Sequence, residues 1–167
     1  MRRTTILILV AVSAVALACG SGSKSGGSAA KSPASLAGMN QPVRDGKFEF
    51  TVSGVQCGVT KVGTDVLNKT AQGQFCEIAV TVKNIGKEAQ TFDGSAQKAR
   101  DAGGTEYSND AVAETYANSA SQTFLEQINP GNQVKGMLVF DVPTNVKLAR
   151  LRLHDSPFSN GVDVALG

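Results

Sequence analysis

Alternation of apolar and polar residues over short segments is the main pattern in the later three-quarters of the chain. Phenylalanine and valine occupy every second position in residues 47–52, and residues 75–83 alternate in the same way. A period of two is typical of a strand with one buried face. Six more segments have strand character and are bounded by turn residues: 90–92, 97–101, 123–128, 133–142, 148–153 and 161–166. Seven or more short strands of this kind predict an all-β fold of the β-sandwich type.

The alternation changes phase after Val52, because the next apolar positions are 55, 57 and 59. A shift of one residue turns every following side chain to the other face of a strand. We therefore expect a bulge or a kink at Ser53 and Gly54.

Residues 108–122 do not fit the strand pattern. This segment is polar and carries Val112 and Tyr116 at helical spacing, so it is either a short surface helix or a functional loop. Loops on a rigid scaffold commonly carry recognition, and tyrosine is a frequent interface anchor. We predict binding on this segment, with Tyr107, Val112 and Tyr116 as candidate binding residues. The alternative is that Tyr107 is a core strand residue and the segment a surface helix without a binding role.

The N-terminus has the features of a secretory signal peptide. Arg2 and Arg3 precede an apolar run, and small residues follow it. The run of about 14 residues is too short to cross the roughly 30 Å hydrocarbon layer as a permanent helix. The stretch from Ala16 to Cys19 resembles the lipobox of bacterial lipoproteins, although that motif usually has leucine where this chain has Ala16. The resemblance implies that Cys19 carries a lipid and becomes the mature N-terminus; the alternative is a secreted protein in which Cys19 lies near the cut by chance.

Three regions follow from this pattern: a lipoprotein signal peptide at 1–18, a lipidated cysteine with a Gly/Ser-rich tether at 19–42, and a folded domain at 43–167. The tether composition is typical of a flexible linker, whose reach over 23 residues is about 26 Å. The sequence thus predicts a protein anchored to the extracytoplasmic face of the cell membrane.

Removing residues 1–18 lowers the formal charge from +2 to zero, so we expect no electrostatic attraction to nucleic acid or acidic lipid.

Cys57 and Cys76 are the remaining cysteines, and both fall on the inward face of predicted strands. In an exported chain an even pair normally forms a disulfide, which we expect here. A metal pair and a redox pair are the alternatives. The chain has no C-x-x-C spacing, and its single histidine, His154, is far away in sequence.

Four ordered motifs carry a resemblance to a known family. They are 78–87 (IAVTVKNIGK), 101–107 (DAGGTEY), 128–131 (INPG) and 139–143 (VFDVP). Together they resemble the telokin-like immunoglobulin-fold domains of many Gram-positive, especially actinobacterial, lipoproteins. Those domains are catalogued as a domain of unknown function and are similar in fold to a secreted mycobacterial antigen. The resemblance implies an immunoglobulin-like sandwich without established catalytic residues.

Motifs for chemistry are sparse. The sequence has no Walker loop, no G-x-S-x-G and no H-E-x-x-H. The carboxylates of Asp101, Glu106, Asp110 and Glu114 fit no EF-hand spacing, so we expect them to be solvated and predict no metal and no cofactor. The preferred hypothesis is a non-catalytic binding module with an envelope protein as its partner. The alternatives are a small-molecule or metal carrier or sensor and, last, an enzyme.

Overall fold

The computed structural model describes residues 36–120 and 124–167. Within them lie ten strands, one α-helix, and a short 3-10 helix at Gly94–Ala96. The strands are β1 Val43–Asp45, β2 Phe48–Gly63, β3 Asn68–Asn84, β4 Gln90–Thr91, β5 Lys98–Asp101, β6 Glu106–Ser108, β7 Gln127–Ile128, β8 Gln133–Val142, β9 Leu148–Leu153 and β10 Val162–Ala165; the helix is α1 Ala111–Ala117. The predicted signal peptide, Cys19 and the tether up to residue 35 lie outside the described residues.

Two four-stranded antiparallel sheets form the body of the domain. The first has the order β1-β2-β3-β8 and the second β10-β9-β5-β6, while β4 and β7 form a separate small pair. The prediction of an all-β sandwich is confirmed.

The main core lies between the two sheets and follows from the alternation in the sequence. Phe48, Phe50 and Val52 point inward from β2 and are fully buried, as are Leu151 and Leu153 of β9. The ring of Phe92 packs against those of Phe48, Phe50 and Phe124, with centroid distances of 6.0, 5.9 and 4.9 Å. Burial of such rings is the main favourable contribution to folding at this site.

The long β2–β3 hairpin differs in part from the expectation. The register shifts between Val52 and Gly54, which confirms the predicted bulge. In contrast, β3 begins at Asn68, seven residues before the predicted start at residue 75. Most of residues 68–74 are polar, so the start of the strand has no alternation to signal it.

Cys57 and Cys76 form a disulfide that links β2 to β3. Cys76 is fully buried, whereas Cys57 is exposed, contrary to the expectation that both point inward. The cause is a second irregularity in β2, where the register shifts between Gln56 and Val59.

Residues 36–42, the last part of the predicted tether, lie against the sandwich. Ala37 forms a parallel bridge with Val164 of β10, and the Asn40 N–H donates a hydrogen bond to the Val52 carbonyl oxygen at 2.7 Å. The chain therefore enters the domain along the outer edge of β10. Within residues 36–120 and 124–167, no helix has the length and apolar composition needed to cross a membrane.

Candidate binding site

Helix α1 forms in the segment that the strand pattern does not explain. Its start is set by Asp110, whose carboxylate accepts a hydrogen bond from the Ala113 N–H at 3.0 Å, as an N-cap residue does. Of the two sequence-based alternatives for this segment, the structure has the short helix. Seven residues are too few for a helix to be stable alone, so α1 depends on its packing.

Asparagine side chains attach both ends of α1 to strand β8. At the N-terminal end, Asn109 Oδ1 accepts from the Val139 N–H at 2.8 Å, and the Asp110 N–H donates to the Val139 carbonyl oxygen at 2.7 Å. At the C-terminal end, the Asn118 amide pairs with the backbone of Met137. Backbone groups on the outer edge of β8 are thereby hydrogen-bonded to the helical segment.

A second, smaller apolar cluster lies beneath α1. It consists of Ala113 from the helix with Val62, Phe75 and Val139 from the first sheet, all buried. Phe75 and Val139 alternate with side chains of the main core, so this cluster covers the opposite, outer face of the sheet. Tyr116 packs against the same cluster.

A cleft of about 200 Å³ opens beside the helix. It is bounded by α1, by the tip of the β2–β3 hairpin, and by the residues that precede β7. Its lining includes Thr64, Leu67, Glu114, Tyr116, Phe124 and Leu125. Two of these are unusually exposed for leucine, since Leu67 has 62% and Leu125 has 67% of its surface accessible. Val66, next to Leu67 at the hairpin tip, is also exposed.

Glu114 is the buried acidic group of this site. Its side chain accepts a hydrogen bond from Asn109 Nδ2 at 2.5 Å and lies so close to Gly94 that a Cβ on residue 94 would come within 2.1 Å of Oε2. Burial raises the pKa of Glu114 to about 7, with a smaller contribution in the same direction from Asp93 and an opposing one from the Asn109 hydrogen bond. The carboxyl group therefore changes its charge near neutral pH.

The structure separates the three residues predicted to bind. Tyr116 lines the cleft, while Val112 lies on the same helix, outside the cleft lining and half exposed. Tyr107 lies on β6, packs against the main core, and donates a hydrogen bond from its hydroxyl to Asp101 at 3.3 Å. The helix thus carries two of the three residues, and a binding role for any of them stays a prediction.

Several residues of this site were not found by sequence reasoning. Glu114 was expected to be solvated but is buried, and Leu67 and Leu125 were not singled out. Asn109 and Asp110 before an apolar helical position form an N-cap signal that indicates the start of α1. No comparable local signal links the hairpin tip to the helix, because their contact depends on the tertiary fold.

The lining of the cleft is mostly apolar contact surface, with Glu114 as its ionisable group. Among residues 36–120 and 124–167, no three histidine, cysteine or acidic side chains come together to form a metal site. His154 follows β9, where its Nδ1 lies 3.2 Å from the Ser159 carbonyl oxygen. The cleft combines exposed leucines, aromatic rings and one carboxyl group, a composition suited to binding.

Comparison of this chain with known proteins identifies its fold but assigns it no activity. The family described as domain of unknown function DUF4352 matches residues 37–164. No curated protein sequence matches the chain significantly.

The solved structures that are similar to the domain include the following three. The YjhA protein of Bacillus subtilis is 14% identical, with a TM-score of 0.58 over 79% of this chain and 100% of that one. The secreted protein MPT63 of Mycobacterium tuberculosis is 16% identical, with a TM-score of 0.58; the match covers 78% of this chain and 95% of MPT63. A conserved hypothetical protein of Bacillus anthracis is 16% identical, with a TM-score of 0.56; the match covers 75% of this chain and 94% of the other. At these identities the likeness establishes the fold alone, and it confirms the expected similarity to a secreted mycobacterial protein.

Proposed function

Because this chain belongs to the DUF4352 family of domains of unknown function, we propose its role from its own residues and geometry. We propose that it is a lipoprotein anchored to the extracytoplasmic face of the cell membrane, whose sandwich is a non-catalytic module that binds another envelope protein. Support for the anchor comes from the sequence: the short apolar run, Cys19 directly after Ala18, and the Gly/Ser-rich segment that follows.

The observation that carries the binding role is the cleft beside α1. Leu67 and Leu125 line it from opposite segments and are mostly exposed, and Val66 extends the apolar surface at the hairpin tip. Exposed apolar residues grouped around a concave site mark an interaction surface more often than scattered single residues do.

At this cleft, the carrier hypothesis has less support. The cleft volume of about 200 Å³ is below the roughly 300–1,000 Å³ of typical small-molecule pockets. A protein side chain or a short peptide segment fits such a cleft better than a whole ligand does.

Cell fractionation tests the anchor. In the full chain, Cys19→Ala should move the protein from the membrane fraction to the medium, whereas the neighbouring Ser21→Ala should leave it at the membrane. An unchanged membrane fraction for Cys19→Ala contradicts the lipid anchor.

Site-specific photo-cross-linking in intact cells tests the binding role. A photoreactive residue at position 67 should capture a defined protein, and Leu125→Ser in the same chain should abolish the capture. A photoreactive residue at position 85, which is exposed after β3 and lies outside the cleft lining, should give weaker capture. Equal capture from positions 67 and 85, unaffected by Leu125→Ser, contradicts a site at the cleft.

A further inference from the structure

The outer face of the second sheet carries a group of basic side chains, which we call the basic face. In β5 and β9, small and apolar side chains such as Ala99 and Leu151 point into the core and are fully buried. The intervening residues therefore point outward. These are Lys98, Arg100, Arg150 and Arg152.

These four cations face each other across the two strands. Lys98 is directly opposite Arg152, and Arg100 is directly opposite Arg150. Like charges in directly opposite positions destabilise a sheet. Fold stability alone therefore does not account for the arrangement.

Two carboxylates on the flanking strands neutralise only part of this charge. Arg100 forms an ion pair with Glu106 of β6 at 2.6 Å, and Arg152 forms one with Asp163 of β10 at 2.7 Å. Lys98 donates a hydrogen bond to the Ser108 hydroxyl. Arg150 helps to lower the pKa of Asp163 but forms no direct ion pair within the described residues. The basic face therefore keeps a net charge of +2.

This charge contrasts with the rest of the domain. Four of the sixteen basic residues, Arg2, Arg3, Lys24 and Lys31, precede the described residues, which leaves twelve against fourteen acidic ones and a domain charge of −2. The remainder of the domain therefore carries −4. The inference from net charge that the protein has no attraction to acidic lipid overlooked this segregation.

An exposed aromatic side chain lies at the rim of the basic face. An open groove of about 410 Å³ on this face is lined by Lys98, Arg152, His154 and Pro157. The next residue, Phe158, has 98% of its surface accessible. Basic side chains together with a solvent-exposed aromatic ring are typical of surfaces that lie at the membrane interface.

The N-terminal chain leaves the domain beside the same sheet. Ala37 pairs with Val164 of β10, which is the edge strand next to β9. Seventeen residues lead from Cys19 to Leu36, and they span at most about 60 Å even when fully extended. A lipid on Cys19 would therefore tether the domain from the side of β10, at a distance that allows the second sheet to reach the membrane surface.

We propose that the basic face, with Phe158 at its rim, docks onto the anionic phospholipid headgroups of the membrane that holds the chain. This inference rests on the proposed lipid anchor. It gives the anchored domain an orientation, because α1 and the cleft lie on the outer face of the opposite sheet. Docking through the second sheet therefore leaves the cleft facing away from the membrane, where another envelope protein can reach it.

Vesicle binding of the mature chain, residues 19–167 with Cys19→Ala, tests the proposal without a contribution from the lipid or from the apolar run and the two arginines of the predicted signal peptide. Vesicles of phosphatidylcholine alone are compared with vesicles that also contain phosphatidylglycerol. Each basic residue near an anionic surface increases affinity about fivefold, so the excess of two charges predicts roughly 25-fold stronger partitioning to the anionic vesicles. High salt should remove most of this difference, because it screens the charges.

Matched charge variants test whether the binding to anionic vesicles depends on the basic face. The double substitution Lys98→Gln and Arg150→Gln leaves both ion pairs intact and should reduce partitioning to the anionic vesicles about 25-fold. The control, Lys61→Gln with Lys87→Gln, removes the same charge from exposed positions on β2 and after β3 and should reduce it much less. Phe158→Ser, which leaves the net charge unchanged, should also weaken binding to anionic vesicles relative to the chain with Phe158.

Three results overturn the proposal: equal partitioning to both kinds of vesicle, equal loss in the two double variants, or binding of soluble polyphosphate without vesicle binding. The last assigns the face to a soluble polyanion. A failed anchor is detected separately, since Cys19→Ala then stays in the membrane fraction even after a high-salt wash that releases charge-based docking, whatever the vesicles show.

Discussion

The side-chain amide of Asn118 forms two hydrogen bonds with the backbone of Met137, each 2.8 Å long. Nδ2 donates to the Met137 carbonyl oxygen and Oδ1 accepts from the Met137 N–H, as the backbone of a neighbouring strand does. Because β8 is the outermost strand of the first sheet, this pairing closes part of an edge that is otherwise open to another chain. Asn109 and Asp110 close the same edge at Val139.

Asn118→Ala should destabilise the domain. The substitution leaves the Met137 N–H without its partner and removes the hydrogen bond to the Glu114 carbonyl oxygen at the end of α1. Loss of such pairing to a partly buried backbone group costs about 1–3 kcal/mol. Urea unfolding measures the change. Asn145→Ala, at an exposed position, should stay within about 0.5 kcal/mol of the original chain; equal effects of the two substitutions contradict the role of Asn118.

The strands with one buried face could be predicted from the sequence. The segments 133–142 and 148–153 were predicted with the bounds that β8 and β9 have in the structure. In both, side chains that point into the main core, such as Leu138 and Phe140 or Leu151 and Leu153, recur with a period of two that is visible locally. The exceptions are Val139, which is buried under α1, and Leu148, which lies at a register shift. The bulge after Val52 was predictable for the same reason, since a change of phase must be absorbed in the backbone.

The candidate site and the basic face could not be predicted in the same way. The cleft joins Leu67, Glu114 and Leu125, which are distant in sequence and meet only in the folded chain. The basic face depends on the register of two strands, which places Lys98 opposite Arg152. Net charge averages over all faces of the domain and so conceals such a cluster.

The Cys57–Cys76 disulfide should contribute substantially to stability. It closes a loop of 18 residues between the cysteines and covalently joins β2 to β3. Chain entropy in the unfolded state predicts about 3 kcal/mol for a loop of this length. Urea unfolding of the chain with Cys57→Ser and Cys76→Ser should show this loss. Mass spectrometry of unreduced peptides from the original chain checks the bond itself, and two free thiols contradict it.

Gly94→Ala should destabilise the domain because Glu114 occupies the space a side chain needs. A Cβ at residue 94 would lie 2.1 Å from Glu114 Oε2 and 2.4 Å from Oε1, which forces the buried carboxyl group to move. Overpacking of this kind costs about 1–3 kcal/mol. Gly38→Ala is the matched control, since no atom lies within 4 Å of its added Cβ. The midpoint of thermal unfolding is measured for both variants. Equal midpoints for Gly94→Ala and Gly38→Ala contradict close packing at Gly94.

Glu114 should make the stability of the domain decrease as pH rises towards neutrality. Burial raises its pKa from 4.5 to about 7, so the folded state binds more protons than the unfolded state between these values. Under this condition the free energy of unfolding falls with increasing pH. Asp110, Asp155 and Asp163 have lowered pKa values, so their contribution has the opposite sign and is lost only at more acidic pH.

Glu114→Gln isolates this effect, because glutamine keeps an oxygen that accepts from Asn109 and has no charge to titrate. Between about pH 5 and about pH 8 the original chain should lose about 2–3 kcal/mol through Glu114. The Glu114→Gln chain should lack that component and be the more stable of the two at the higher pH. Urea unfolding at both pH values measures it, with Glu88→Gln at an exposed position as the control that keeps the original pH dependence. If Glu114→Gln and the original chain lose the same free energy of unfolding over this range, then Glu114 does not titrate as a buried acid, and the folded state has no preference for its neutral form.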